Sequence, residues 1–252
     1  MHHKAQQNKL GVVLKRDCIV CMTNHVKANI SYQHRREIQR TFREIIQGEL
    51  CIDHFSINVF FGDNESMFFS PTPQMAEELC KKNFVAVDAN YKRGIYKKYS
   101  MYSWRSVAQN EVDVAINHIK EDKYGLRSGM MIVRDLGDNR YVMYSFATRK
   151  KEAMPGLFHF LFHSKANYIA QMGDYMYNEL NGIINEYAVE EDVMMPKIDF
   201  FKEIKVEHAL YNETQKAWMS DIQENKAKSF LHSVEGKSAQ MLKLVEQGRI
   251  VR

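Results

Sequence analysis

The chain has 252 residues, of which 45% are hydrophobic and 26% charged, and a formal net charge of +4 at neutral pH. That length supports one large domain or a domain with an appendage, and the composition is that of a globular protein. No apolar run approaches the ~18 residues of a membrane span, and the Lys- and His-bearing N-terminus has no apolar signal core. Four scattered cysteines do not form a disulfide framework. Together these features predict a cytosolic protein, or one exported by a route that needs no N-terminal signal.

Residues 1–36 carry Lys4, Lys9, Lys15, Arg16, Lys27, Arg35 and Arg36 against Asp17, a basic arm suited to nucleic acid, an acidic partner or an anionic surface, or simply to solvent. Cys18 and Cys21 have zinc spacing, but no H-x₃₋₅-H pair follows at the expected interval, so no metal or cofactor is expected. From His34 to Leu50, Ile38, Phe42, Ile45 and Ile46 recur at helical spacing with arginines opposite. His54–Phe61 and Ser66–Ser70 then flank Gly62-Asp63-Asn64-Glu65, the pattern of a hairpin. Pro71 and Pro73 stop the second strand and open a short helix, Gln74–Lys82. Asp88 follows, then a loop bearing Tyr91, Tyr96, Tyr99 and Tyr102 that ends at Trp104. Asn110–Lys120 is predicted helical, with Val112, Ile116 and Ile119 on one face.

The segments Met130–Arg134 and Tyr141–Ala147 are apolar at nearly every position. Leu136-Gly137-Asp138-Asn139 between them is a cluster of turn formers, so a second, buried hairpin is expected. Just ahead of it, Gly125-Leu126-Arg127-Ser128-Gly129 breaks the helical pattern. From Pro155 to about Tyr187 a long helix is predicted, with Ile169, Met172, Met176, Leu180 and Ile183 as its stripe. Beyond a boundary at Pro196, Phe200–Leu210, Glu213–Val234 and Ser238–Gln247 read as helices. Hairpins give antiparallel sheet and amphipathic helices must cover it. The expected fold is therefore α+β, an α-β-α sandwich around one antiparallel sheet, with a C-terminal helical region.

This order resembles the autoinducer-binding domain of LuxR-type quorum-sensing regulators, which has a PAS- or GAF-like fold. In that family an amphipathic helix and a hairpin lead to a helix carrying W-x₃-Y, then an Asp-Pro step, a Trp, and a hairpin opened by G-[IL]-R-S-G. Here His54-Phe55-Ser56 is similar to the family's first strand, Asp88 matches its Asp, and Trp104 falls one residue from the family spacing. Gly125-Leu126-Arg127-Ser128-Gly129 matches its string, and Ser145 falls where the family carries a Thr or Ser facing the ligand. The resemblance spans roughly residues 35–185, and it divides the chain into a basic arm (1–33), a sensor domain (34–190) and a C-terminal helical region (191–252).

The resemblance implies a small apolar signal molecule among Asp88, Ser145, Met75, Leu79, Trp104, Tyr91, Phe60 and Gly129, with Asp88 and Ser145 taking a ligand N–H and carbonyl. It also marks departures. Met75 and Leu79 stand where the family has its Trp and Tyr, and Ala89 follows Asp88 in place of Pro. Neither Met nor Leu can donate a hydrogen bond, so standard acyl-homoserine lactones are not the expected ligand. The family's helix-turn-helix is not recognisable in residues 197–252, whose ten basic and eight acidic residues make a weak footprint for DNA. A degenerate DNA-binding domain, a dimerisation element and a docking surface all remain open for that tail. No nucleophile elbow, phosphate loop, HExxH or paired-carboxylate motif is present, and His159 and His163 lie on a Phe-rich segment, so no enzyme is expected. A sensor of the LuxR type is the leading expectation. A non-catalytic interaction module, pairing with itself, a regulator or a foreign target, is the alternative.

Overall fold

The computed structural model describes residues 30–61, 65–81, 87–149, 155–188, 194–199, 202–204, 209–211, 216–217 and 220. The basic arm up to residue 29, Cys18 and Cys21, the expected helix 238–247 and nearly all of the expected helix 213–234 lie outside these residues.

A six-stranded sheet runs in the order β2-β1-β5-β4-β3-β6. Its strands are β1 (His54–Phe61), β2 (Glu65–Phe69), β3 (Met101–Ser103), β4 (Ser128–Gly137), β5 (Arg140–Thr148) and β6 (Ala209–Leu210). Both expected hairpins form, β1 with β2 and β4 with β5, and β1 pairs antiparallel with β5 so that the hairpins share one sheet. The β4–β5 reversal is set by Asp138 (φ 51°) and Asn139 (φ 59°), the positive-φ pair of a tight hairpin turn, just after Gly137 (φ 80°). Two residue types that tolerate left-handed backbone occupy the two positions that need it.

Strand alternation gives the sheet two faces. On one, Phe55, Ile57, Val59, Met130, Ile132, Val142, Tyr144 and Phe146 pack against helices. These are α1 (Arg35–Thr41), which runs into a π-helical turn Phe42–Ile46, α5 (Pro155–Ser164) and α6 (Ala166–Glu186). On the other, Tyr102, Met131, Val133, Tyr141, Met143 and Ala147 pack against a second helical layer. That layer is α2 (Pro73–Lys81), the short α3 (Arg93–Tyr96) and α4 (Glu111–Asp122). The fold is the expected α-β-α sandwich.

Four local expectations are corrected. The aromatic stretch read as a loop contains β3, which pairs with β4 through Met101↔Ile132, Tyr102↔Met131 and Ser103↔Met130. Three residues are too few for a periodic signal, and only the partner strand makes them a strand. The long helix breaks at Lys165 into α5 and α6. The buried stripe of α4 is Asp113, Ile116 and Lys120, and Val112 is exposed. Finally, Phe200–Leu210 is not a helix where it is described. Residues 202–204 have no regular structure, and Ala209–Leu210 lies parallel to β3 as the edge strand β6, so the sheet is not wholly antiparallel.

What holds that segment is a set of asparagines on α6. Asn178 donates to Ile198 O and accepts from Ile198 N, both at 2.9 Å, while Asn185 Oδ1 accepts from Met195 N at 2.8 Å. Asn181 donates to Met195 O at 2.9 Å, and Asn167 accepts from Ile204 N at 2.8 Å. Amide side chains stand in for the backbone partners that a helix or ladder would give Met195, Ile198 and Ile204. Met195, Ile198, Ile204 and Tyr211 join the same core as α6.

Candidate functional site

The candidate site forms on the face that carries the smaller core, where α4 is pinned over the sheet. Asn110 caps α4, its Oδ1 accepting from Val112 N at 2.9 Å and Asp113 N at 3.0 Å. Asp113, buried in the first turn, accepts from Ala89 N at 3.0 Å and Gln109 N at 2.9 Å. One carboxylate thus ties the Asp88 loop to the helix start, where the helix dipole also favours negative charge.

Two turns further on the same face, Lys120 Nζ lies 2.9 Å from Asp88 Oδ2, and both side chains are 3% exposed. Asp88 Oδ1 accepts from Asn90 N at 2.9 Å and Asn90 Nδ2 at 2.7 Å, so the carboxylate has a partner on each oxygen. The Lys120 ammonium also stands 4.5 Å from the centre of the Trp104 ring, a cation–π distance. Tyr102 closes the loop from below, its hydroxyl donating to Asn90 O at 2.6 Å.

Trp104 continues the chain of contacts into the sheet. Its Nε1–H faces Ser145 Oγ at 3.2 Å and Met131 Sδ at 3.3 Å, and its backbone N donates to Gly129 O at 3.0 Å. A Cβ on Gly129 would overlap the indole, so the glycine is there for close approach. The second glycine of Gly-Leu-Arg-Ser-Gly therefore makes the seat of the tryptophan.

Of the residues expected from sequence, Asp88, Trp104, Ser145 and Gly129 come together in this one network. Met75, Leu79, Tyr91 and Phe60 belong to the surrounding apolar cluster, with Phe60 stacked on Tyr96 at 5.0 Å. Asp88 and Ser145, expected to face a ligand, are both engaged by groups of the chain itself.

Sequence reading missed Lys120, Asp113, Asn90 and Tyr102. The signal was available for two of them. Asp113, Ile116 and Lys120 follow the i, i+3, i+7 spacing of a buried stripe, but charged residues are ordinarily assigned to solvent. The reading also passed over the sheet floor. On β1, His54, Ser56 and Asn58 alternate with Phe55, Ile57 and Val59 and are buried opposite Ala147, Ser145 and Met143 of β5. Burial and the cations Arg149 and Lys120 push the His54 imidazole down to about 3, so its ring is neutral near pH 7.

His159 and His163 lie elsewhere, with ring centroids 6.3 and 5.8 Å from that of Tyr211 in the other core. Burial lowers both, His159 to about 4. Among the described residues no cluster of three metal-binding side chains occurs, and no helix is long and apolar enough to cross a membrane.

No family model and no curated protein matches the chain. Among solved structures it is similar to the LBD domain of VqsR from Pseudomonas aeruginosa, with 10% identity and a TM-score of 0.38, covering 70% of this chain and 95% of that one. It is similar to Escherichia coli SdiA at 15% identity and a TM-score of 0.43, covering 81% and 80% of the two chains. SdiA in complex with octanoyl-rac-glycerol gives 16% identity and a TM-score of 0.39, with 83% and 78% covered. These neighbours are LuxR-family autoinducer-binding domains, met at low identity.

Proposed function

We propose that this chain is a non-catalytic, small-molecule-sensing regulatory protein of the LuxR type, whose sensing layer lies between the sheet and helices α2 and α4. The observation that supports this best is the Asp88–Lys120 pair, buried beside Trp104 and Ser145 in an otherwise apolar layer. Removing two charges from water costs several kcal/mol per ion after relaxation, and mutual attraction returns that only in part. What sets this pair apart from the buried Arg134–Asp174 pair is its place beside Trp104 and Ser145, positions that the sequence resemblance assigns to a ligand. The sequence resemblance puts a ligand N–H on Asp88, and in this chain the Lys120 ammonium already sits against that carboxylate. A standard acyl-homoserine lactone would have to share that carboxylate with the ammonium, and the donor missing at Met75 would leave its lactone carbonyl unpaired. The signal is therefore a different small molecule.

A ligand that binds only the folded state raises the melting temperature. The full chain melted with a deproteinised small-molecule extract of the expressing cells should gain several degrees over the chain alone. A melting temperature unmoved by every fraction of that extract would contradict a sensing role.

One observation favours a second reading. Asp88 and Ser145 are both satisfied within the chain, as a scaffold without a ligand would require. On that reading the fold is a non-catalytic module acting on a protein partner, through itself as a homodimer or through a regulator. In either case we propose that the part of residues 197–252 beyond the segment packed on α6 and β3 serves dimerisation or partner docking rather than DNA binding, because the charges of residues 197–252 alternate in sign.

A further inference from the structure

The charge of the chain is divided unevenly along its length. Residues 1–43 hold nine lysines and arginines against Asp17 and Glu37, a net charge of +7, so residues 44–252 sum to −3 within the total of +4. The last four of those cations are Arg35, Arg36, Arg40 and Arg43, which lie on α1 and the π-helical turn that continues it. Ile38, Phe42, Ile45 and Ile46 of the same stretch are buried in the larger core, and all four arginines are exposed. Arg36, Arg40 and Arg43 stand four and three residues apart, so they are neighbours along one ridge. At about 1.5 Å of rise per residue that ridge is about 10 Å long.

Elsewhere on the surface arginines meet carboxylates. Arg105 and Arg127 both reach Glu121, and Arg140 reaches Asp138. Among the described residues the four arginines of this stretch pair with no carboxylate, although Glu37 and Glu44 lie beside them in sequence. Like charges one turn apart on a helix destabilise it, and an anionic partner would relieve that repulsion. The apolar side of α1 is consumed by the core, which leaves nothing to enter a bilayer and argues against a membrane surface. Duplex nucleic acid presents a phosphate about every 3.4 Å along each strand, so a ridge of this length meets about three of them in any register. Guanidinium forks match phosphate oxygens two bonds at a time, as lysine cannot. The 29 residues ahead of Ile30 add Lys4, Lys9, Lys15, Arg16 and Lys27, and they join the chain beside this helix.

Independently of the sensing reading, we infer that the ridge formed by Arg36, Arg40 and Arg43 is a contact surface for the phosphate backbone of duplex nucleic acid. Contacts to phosphate fix a protein on the duplex without reading its bases, so the binding is indifferent to sequence. It places nucleic-acid contact at the N-terminal side of the sandwich, away from residues 197–252.

Fluorescence anisotropy of the full chain with a labelled duplex of random sequence tests this between about 50 and 200 mM salt. Wild type should bind at the low end and lose affinity steeply as salt rises. The triple variant Arg36→Gln/Arg40→Gln/Arg43→Gln should bind roughly tenfold or more weakly, and its slope of log K against log salt should be shallower by about 2–3. Its melting temperature should match that of wild type, since exposed side chains without partners are replaced. The corresponding triple lysine variant keeps the charge and should keep most of the salt slope. Equal affinity and slope in wild type and the glutamine variant would overturn the inference, as would no binding by wild type at the lowest salt. Polyglutamate or phosphatidylserine vesicles that displace the duplex as well as unlabelled duplex does would also overturn it, and would give the ridge to an acidic protein or a membrane.

Discussion

Lys120 is the residue on which the site turns. Its ammonium neutralises Asp88 and faces the Trp104 ring, and it reaches both because Asp113 and Asn110 fix the start of α4. Replacing one member of a buried pair leaves the other charge uncompensated, at a cost of about 3–5 kcal/mol. Lys120→Met should destabilise the chain by that amount in urea unfolding. The double variant Lys120→Met/Asp88→Asn should regain much of the loss. Equal loss in the single and double variants would mean that the lysine matters through its packing alone. The buried histidines give a second expectation. His54 and His159 are held to about 3 and about 4, below the 6.5 of the free side chain. Between those values and 6.5 the unfolded chain binds the protons that the folded chain refuses. Stability is complete above 6.5 and falls as pH drops, by about 1.4 kcal/mol per pH unit for each ring. Chemical unfolding between pH 7 and 5 should show this slope, and a His54→Phe, His159→Phe chain should be flatter over the same range, keeping only what His163 contributes.

At the scale of elements, the two hairpins were legible because periodicity and turn chemistry agree. Apolar runs flank Asp138-Asn139, and those two residues take the positive φ that the turn demands. The helices were legible in existence more than in face. In α4 the buried stripe includes an aspartate and a lysine, and only the partners Ala89 N and Asp88, distant in sequence, explain their burial. The strands β3 and β6 were not legible at all, since three and two residues carry no pattern and are strands only by pairing. The stretch before β6 follows the same logic. Met195, Ile198 and Ile204 are anchored by Asn167, Asn178, Asn181 and Asn185 on another element, which a single-segment reading of residues 200–210 cannot contain. Asn178→Ala removes both partners of Ile198 and should cost about 1–3 kcal/mol. Hydrogen exchange should localise the loosening to residues 194–211. Protection unchanged there would mean that apolar contacts alone hold the segment.

For the whole molecule, one sheet divides two cores of different character. The larger is closed by an ion pair of its own, Arg134 to Asp174 at 2.6 Å, with Tyr144 donating to the same carboxylate at 2.8 Å. Burial pushes the Asp174 carboxyl up in spite of the pull from Arg134 and Tyr144. That network fastens α6 to β4 and β5 and has the bearing of a fixed support. The smaller core holds the polar chain from Asp88 through Lys120 and Trp104 to Ser145, and there the sensing role is proposed. Acyl-homoserine lactones should bind this layer weakly or not at all, because an unpaired buried carbonyl costs about 1–3 kcal/mol. Sub-micromolar binding of any lactone by calorimetry would refute this. The most direct test of the central claim is to denature the purified full chain and identify by mass spectrometry the small molecules it releases. A single compound, released in near-stoichiometric amount from wild type and lost from Trp104→Ala, is the predicted result. No compound above the buffer blank, or the same amount from both proteins, would contradict it.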